Sequence, residues 1–170
     1  MAAGIVANSG TLEVSTPSDR EIRLTRLFDA PRRLVFDAMT KPEHVRQWWG
    51  ILSPEYSVTL CEIDLRVGGA WHYVGQGPRG PASFHGVYRE IVAPERLVFT
   101  EIYDPFPGEE SVVTTVFTDE HGKTRMTMTA RYSSLEVRDM VLGTGMARGA
   151  GLSYDMLERV LSELKQRIVD

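Results

Sequence analysis

The chain is poor in cysteine, in long apolar runs and in positive charge. Its one cysteine, Cys61, excludes an internal disulfide and any metal site built on a Cys-x-x-Cys pair. No apolar run approaches the roughly 18–20 residues of a membrane-spanning helix, and the N-terminus lacks the basic segment of a signal peptide. We therefore expect a cytoplasmic protein.

The charge balance and the polar motifs exclude several function classes. A net charge of −4 argues against nucleic-acid binding, which needs a basic face. The Gly68–Gly69 pair precedes a predicted strand and not a helix, so it is interpreted as a hairpin turn and not as a phosphate-binding loop. The histidines do not have metal-ligand spacing: His44, His72, His85 and His121. We predict neither a metal nor a cofactor.

The length of 170 residues favours one domain with its own core. Residues 1–19 are small and polar and predict a flexible tail, although Thr11–Ser15 could pair as an edge strand. Residues 20–170 form the predicted domain. Helix-starting prolines, Pro31 and Pro42, introduce two short helices after the first strand of this domain.

Seven segments have the period or composition of strands, and short turns between them favour an antiparallel sheet. The segments are 20–29, 58–66, 70–74, 83–92, 96–103, 111–118 and 123–132. The last has the clearest alternation, with Met126, Met128, Ala130 and Tyr132 on one face. Such a sheet has one apolar face that another element must cover.

The segment from Ser134 to Asp170 is predicted to be helical, and four glycines interrupt it at positions 143, 145, 149 and 151. Each glycine costs about 1 kcal/mol relative to alanine inside a helix. Two explanations remain open. The glycines break the segment into a short and a long helix, or they leave empty space between the helix and the sheet.

Four stretches in this order resemble a known family. They are Arg26–Pro31 leading to Val35–Phe36, Pro42–Glu43 leading to Trp48–Gly50, Asp64–Trp71, and Pro94–Thr100. Together with later matches they span about residues 20 to 164. The chain resembles the START-like, Bet v 1-like (SRPBCC) superfamily, in the branch homologous to the activator of Hsp90 ATPase.

This resemblance implies an α+β helix-grip fold. In that fold a curved antiparallel sheet of six or seven strands wraps around a long C-terminal helix, with two short helices after the first strand. It also implies a hydrophobic cavity between sheet and helix. It implies no single chemistry, because members include ligand carriers, cochaperone domains and polyketide cyclases.

Three functions follow as hypotheses. The favoured one is binding of a small hydrophobic molecule, such as a lipid, a polyketide or an aromatic metabolite, in the cavity. The second is a cyclase- or hydrolase-like enzyme that uses His85 or Glu101 as acid or base. The third is a cochaperone or stress-response interaction protein. A chaperone partner is disfavoured because we expect no counterpart of the cochaperone's extra N-terminal domain. A homodimer is compatible with the sequence.

The candidate ligand-binding residues are the aromatic, methionine and isolated polar side chains of the strands and the helix. They are Trp48, Trp71, Tyr73, His85, Phe99, Glu101, Tyr103, Phe117, Met128, Met140, Met146 and Ser153. Ordinary core packing is the competing interpretation for each apolar member. The sequence leaves open whether Glu101 and His85 face inward. Of the adjacent Trp48 and Trp49, one is expected in the core and the other at the cavity rim.

Overall fold

The computed structural model describes residues 4–9 and 12–169. Their strands are β1 (Gly4–Ser9), β2 (Leu12–Thr16), β3 (Glu21–Phe28), β4 (Ser57–Ile63), β5 (Ala70–Gly77), β6 (Gly80–Val92), β7 (Arg96–Tyr103), β8 (Glu110–Glu120) and β9 (Lys123–Arg131). Their helices are α1 (Arg32–Thr40), α2 (Pro42–Trp48), α3 (Leu135–Leu142) and α4 (Met146–Val169). None of the helices in these ranges is long and apolar enough to cross a membrane.

All strands join one antiparallel sheet in the order β1-β2-β3-β9-β8-β7-β6-β5-β4. The strands β4 to β9 form a meander, and the pairing of β3 with β9 joins β1 to β3 to its last strand. The sheet lies against the long helix α4, which confirms the helix-grip fold. The meander from β4 to β9 follows the predicted element order.

The predicted count of six or seven strands is wrong, because the described strands number nine. The additional pair, β1 and β2, lies in the segment that the sequence assigns to a flexible tail. Leu12 and Val14 are 1% and 0% exposed. Burial of this apolar pair holds β2 against β3. Of the predicted tail and helix, residues 1–3, 10, 11 and 170 lie outside the described residues.

The two short helices begin where the prolines predict. Pro31 precedes α1 as its N-cap residue, and Pro42 occupies the first turn of α2. Trp48 is the last residue of α2 and is 4% exposed. Its indole Nε1–H donates to the carbonyl oxygen of Ala38 at 2.9 Å, which ties α2 to α1.

The C-terminal segment is broken, as one of the two explanations for its glycines requires. Ser134 caps α3, since its Oγ accepts a hydrogen bond from the Val137 backbone N–H at 3.2 Å. Gly143 is the C-cap residue of α3, and Gly145 has a φ of +80° before α4 begins. Positive φ is easy for glycine and costly for other residues, so the break needs Gly145.

The C-terminal half of α4 fills the core. Leu157 and Leu161 are 0% exposed, and they belong to the same buried cluster as Val35 of α1 and Val45 of α2. The N-terminal half of α4 instead covers a cavity.

Candidate ligand-binding cavity

A cavity of about 630 Å³ lies between the concave face of the sheet and the N-terminal half of α4. Its walls come from β3, from β5 to β9, from α1, from α2 and the loop that follows it, and from α3 and α4. Phe106 and Met140 line it and are 46% and 42% exposed, so the cavity opens to solvent between the β7–β8 loop and α3. A volume of this size suits a drug-sized molecule.

Aromatic rings form most of the wall that the sheet contributes. The ring centroid of Trp71 lies 4.8 Å from that of Tyr73 and 5.5 Å from that of Phe99. The rings of Phe84 and Tyr103 stack at 4.7 Å, which continues the wall toward the mouth. These contacts fix the rings to one another, so the wall is rigid and apolar.

The position of Trp71 depends on a glycine in the neighbouring strand. Trp71 pairs with Gly86, and a Cβ on that glycine would lie 2.7 Å from the Trp71 Nε1 and 1.7 Å from the Thr100 carbonyl oxygen. The absence of a side chain lets the indole N–H donate to the same carbonyl at 3.1 Å. Gly86 therefore allows a tryptophan to be both hydrogen-bonded and part of the wall.

The cavity wall that α4 contributes contains several small residues. Met146, Gly149, Ala150 and Ser153 line it from α4. A Cβ built on Gly149 would meet nothing within 4 Å, so this glycine does leave empty space, as the second explanation proposes. Both explanations for the glycine cluster therefore hold, at different positions. Ser153 Oγ accepts a hydrogen bond from the Gly50 backbone N–H at 3.1 Å, which anchors the helix over the cavity.

Glu101 faces inward, which settles the phase that the sequence leaves open. Leu97, Phe99 and Tyr103 of the same strand also line the cavity, so β7 presents alternate residues to it. The surface that Glu101 retains is therefore turned toward the cavity. Burial raises the pKa of its carboxyl from 4.5 to about 7. No hydrogen bond or ion pair of the described residues reaches that carboxyl group.

The charge of this carboxyl group acts on three tyrosines that line the same cavity. Burial raises the pKa values of Tyr73, Tyr132 and Tyr154. The negative charge of Glu101 raises those of Tyr132 and Tyr154 further, and it acts on Tyr73 after the larger effects of Tyr88 and Cys61. The Tyr154 hydroxyl has only a weak acceptor, the sulfur of Met128 at 3.7 Å. These phenols stay protonated near neutral pH and can donate to a ligand.

His85 lies on the opposite face of the sheet, so the part of the enzyme hypothesis that uses it is wrong. His85 pairs with Ile102, whose side chain alternates away from Glu101. Its Nδ1 is 2.9 Å from Asp104 Oδ1, and both side chains are more than 40% exposed. On the same outer face, His72 Nε2 lies 2.8 Å from Ser83 Oγ.

Phe117 is the other predicted residue that does not line the cavity. It is 1% exposed, and its ring packs edge-to-face against Phe36 of α1 at 5.8 Å. Its strand phase faces inward as expected, but its position in β8 lies beyond the cavity, where α1 closes the core. The remaining ten candidates line the cavity: Trp48, Trp71, Tyr73, Phe99, Glu101, Tyr103, Met128, Met140, Met146 and Ser153.

Several lining residues were not among the candidates: Trp49, Phe84, Tyr88, Tyr132 and Tyr154. Tyr132 had a clear signal, because it continues the predicted alternation through Met128. Trp49 had none. The helix α2 ends at Trp48, and the extended backbone of Trp49 turns its ring toward Tyr73, at 5.2 Å. Both tryptophans line the cavity. Trp48 belongs to the buried core and Trp49 is only partly buried, which agrees with the expected division between core and rim.

Metal and thiol chemistry receive no support. Among the residues that the structure describes, no group of three or more His, Cys, Asp or Glu could hold a metal ion. Cys61 is 5% exposed, and burial raises the pKa of its thiol to about 11. It is therefore a buried small apolar residue and not a reactive thiolate.

Comparisons with known proteins give one family and several similar folds. The family described as "Activator of Hsp90 ATPase homolog 1-like protein" matches residues 29–162. A solved structure from Rhodobacter sphaeroides is 26% identical, with a TM-score of 0.82, and the match covers 89% of this chain and 99% of that one. Protein Ms6760 from Mycobacterium smegmatis is 25% identical, with a TM-score of 0.75 and coverage of 84% and 91%. An Arthrobacter aurescens protein, 24% identical with a TM-score of 0.77 and coverage of 94% and 93%, shares the fold. None of the curated proteins matches the chain.

Proposed function

The chain belongs to the family of activator of Hsp90 ATPase homolog 1-like proteins, and we propose that it binds a small, mostly apolar molecule in its cavity. The observation that carries this proposal is an aromatic cavity of about 630 Å³ that opens to solvent beside α3. A pocket of this volume, with an apolar wall and few polar groups, is typical of small-molecule sites.

The glycine at position 149 supports a site that is kept open. Filling that position with alanine would favour the helix by about 1 kcal/mol, and the structure has room for the methyl group. A glycine here is therefore less favourable for the helix than alanine, and it leaves the cavity wall without a side chain at this position.

Titration with N-phenylnaphthylamine, an uncharged aromatic probe whose fluorescence rises in apolar surroundings, tests the proposal. The blocking variant is Gly149→Phe, which places a ring into the empty space. The matched control is Arg148→Phe, which adds the same ring at an exposed neighbouring position of α4. Thermal melting checks that both variants fold.

We expect saturable binding by the wild type and the control, and binding at least about tenfold weaker in the blocking variant. Equal binding by all three proteins would place the probe elsewhere, and no binding by any of them would contradict the proposal. Native mass spectrometry of the purified protein adds a direct search for a retained molecule.

The second candidate is a cyclase- or hydrolase-like enzyme with Glu101 as general acid or base. The favouring observation is a carboxyl group inside the cavity with its pKa raised to about 7, which suits proton transfer near neutral pH. Turnover of a panel of naphthyl esters, lost in Glu101→Gln and with a pH profile that inflects near this value, would support it. Unchanged turnover in that variant would remove Glu101 from the mechanism.

A further inference from the structure

The charges that line the cavity are all negative. Among the described lining residues, the ionisable side chains other than tyrosine are Glu101, deep on the concave face, and Glu109, at the mouth. Lysine, arginine and histidine do not occur among them. An anionic guest such as a fatty acid would therefore meet like charge and find no counter-ion.

The carboxylate of Glu101 is a hydrogen-bond acceptor to which none of the described residues donates. It lies opposite Ser111 in the middle of the sheet, but the Ser111 hydroxyl donates to the Glu101 backbone carbonyl at 3.3 Å and not to its carboxylate. The carboxyl group therefore has no hydrogen-bond or ion-pair partner among the described residues, and burial has already removed part of its hydration. A ligand that supplies a donor gains a charge-assisted hydrogen bond at little further cost to the protein.

The surroundings of Glu101 favour a cationic donor over a neutral one. Phe99 and Tyr103 flank it on its own strand, and Trp71 packs against Phe99 at 5.5 Å. Aromatic faces attract a cation through their quadrupoles, and this attraction offsets part of the hydration that an ammonium group loses on burial. A carboxylate surrounded by aromatic rings is therefore suited to bind an ammonium group.

We infer that the ligand is a lipophilic amine, with its ammonium group on Glu101 and its apolar body along the aromatic wall toward the mouth. This inference rests on the proposed function, since it names the ligand class of the same cavity. It predicts that the protein distinguishes molecules of equal shape by the charge of their polar end.

Three probes with one apolar body test the inference: naphthylethylamine, naphthylethanol and naphthylacetate. Displacement of N-phenylnaphthylamine from the wild type by each probe is measured at about pH 8, where Glu101 is mainly ionised. We expect the amine to bind at least about tenfold tighter than the alcohol, and the carboxylate to bind weakest. In Glu101→Gln the amine should lose this advantage while the alcohol keeps its affinity. The control Glu62→Gln removes an exposed carboxylate of β4 that lies outside the cavity lining, and it should keep the order of the three probes.

The pH dependence gives a second readout that needs no variant. The other ionisable groups in the described cavity lining are tyrosines and Glu109. The raised pKa values of Tyr73, Tyr132 and Tyr154 keep these phenols neutral throughout this range. Lowering the pH from about 8 to about 5.5 protonates Glu101, so affinity for the amine should fall while affinity for the alcohol changes little. Loss of this pH dependence in Glu101→Gln would assign it to that carboxyl group.

The outcomes separate this inference from the proposed function. If the alcohol binds, is weakened by Gly149→Phe, and matches or exceeds the amine, the amine inference is overturned and the cavity still binds ligand. Alcohol binding that strengthens as the pH falls would make Glu101 a proton donor and would also overturn it. If none of the three probes displaces N-phenylnaphthylamine, and that probe itself does not bind, the proposed function fails.

Discussion

Alanine substitutions at three glycines near the start of α4 should change stability in different directions. At Gly149, inside α4, alanine removes a helix penalty of about 0.8–1 kcal/mol, and its methyl group meets no atom within 4 Å. At Gly145, where φ is +80°, alanine adds left-handed strain of about 1–2 kcal/mol. At Gly143, φ is −73° and the nearest atoms would be 3.5 Å away, so alanine should have little effect.

Thermal and urea unfolding measure these differences. For a chain of this length, 1 kcal/mol corresponds to about 2–4 °C in Tm. We therefore expect Gly149→Ala to melt about 2–4 °C higher than the wild type and Gly145→Ala to melt about 2–8 °C lower. The third variant, at Gly143, serves as the reference for a glycine in the same segment.

Two results would refute this reasoning. A lower Tm for Gly149→Ala would mean that the space beside this residue is filled. A higher Tm for Gly145→Ala would mean that the turn between α3 and α4 does not need positive φ. Binding of N-phenylnaphthylamine to Gly149→Ala should persist, because one methyl group occupies little of the cavity.

Three further predictions concern buried groups elsewhere in the fold. Gly86→Ala should lower the free energy of unfolding by at least about 2 kcal/mol in urea titrations, because its Cβ would overlap the Thr100 carbonyl; a loss below about 0.5 kcal/mol would contradict this close packing. Glu101→Gln should be more stable than the wild type at about pH 8 and not at about pH 4. Because the pKa of Glu101 is raised to about 7, the wild type loses stability as the pH rises from about 4.5 to 7. Equal pH profiles of unfolding for the two proteins would contradict the burial of this carboxyl group. Asp155→Ala should lower the free energy of unfolding by about 1–3 kcal/mol, because the guanidinium of Arg26, 5% exposed, loses the carboxylate that lies at 2.8 Å. The double variant with Arg26→Met should recover most of this loss. A double variant no more stable than Asp155→Ala would contradict this account.

Strand phase could be predicted from the sequence wherever one face was clearly apolar. The alternation through Met126 and Met128 identified the inner face of β9, and Trp71 and Tyr73 identified that of β5. In β7 both faces carry large apolar residues, so alternation could not place Glu101. Its orientation depends on pairing with β6 and β8, which is long-range information.

Of the two additional strands, β1 was missed, and β2 was given only as an alternative, an edge strand over Thr11–Ser15 within the predicted tail. The segment before Thr16 is short and polar in composition, and its apolar pair, Leu12 and Val14, is too brief to exceed the expectation of a loose terminus. These residues become a strand because β1 and the edge of β3 pair with β2 on its two sides. The location in the cell, the oligomeric state and a protein-interaction role stay predictions.

The short helix α3 forms part of the cavity wall but has no buried residue of its own. It is held at its start by the cap at Ser134 and by the Arg138 guanidinium, which donates to the Ser18 carbonyl at 2.7 Å. Elements with so little buried surface open locally at a much lower free energy than the whole domain. We therefore expect the opening rate of α3, about two helical turns, to set the residence time of a bound molecule, and not the global unfolding rate. A tightly bound molecule could then exchange while the sheet stays folded.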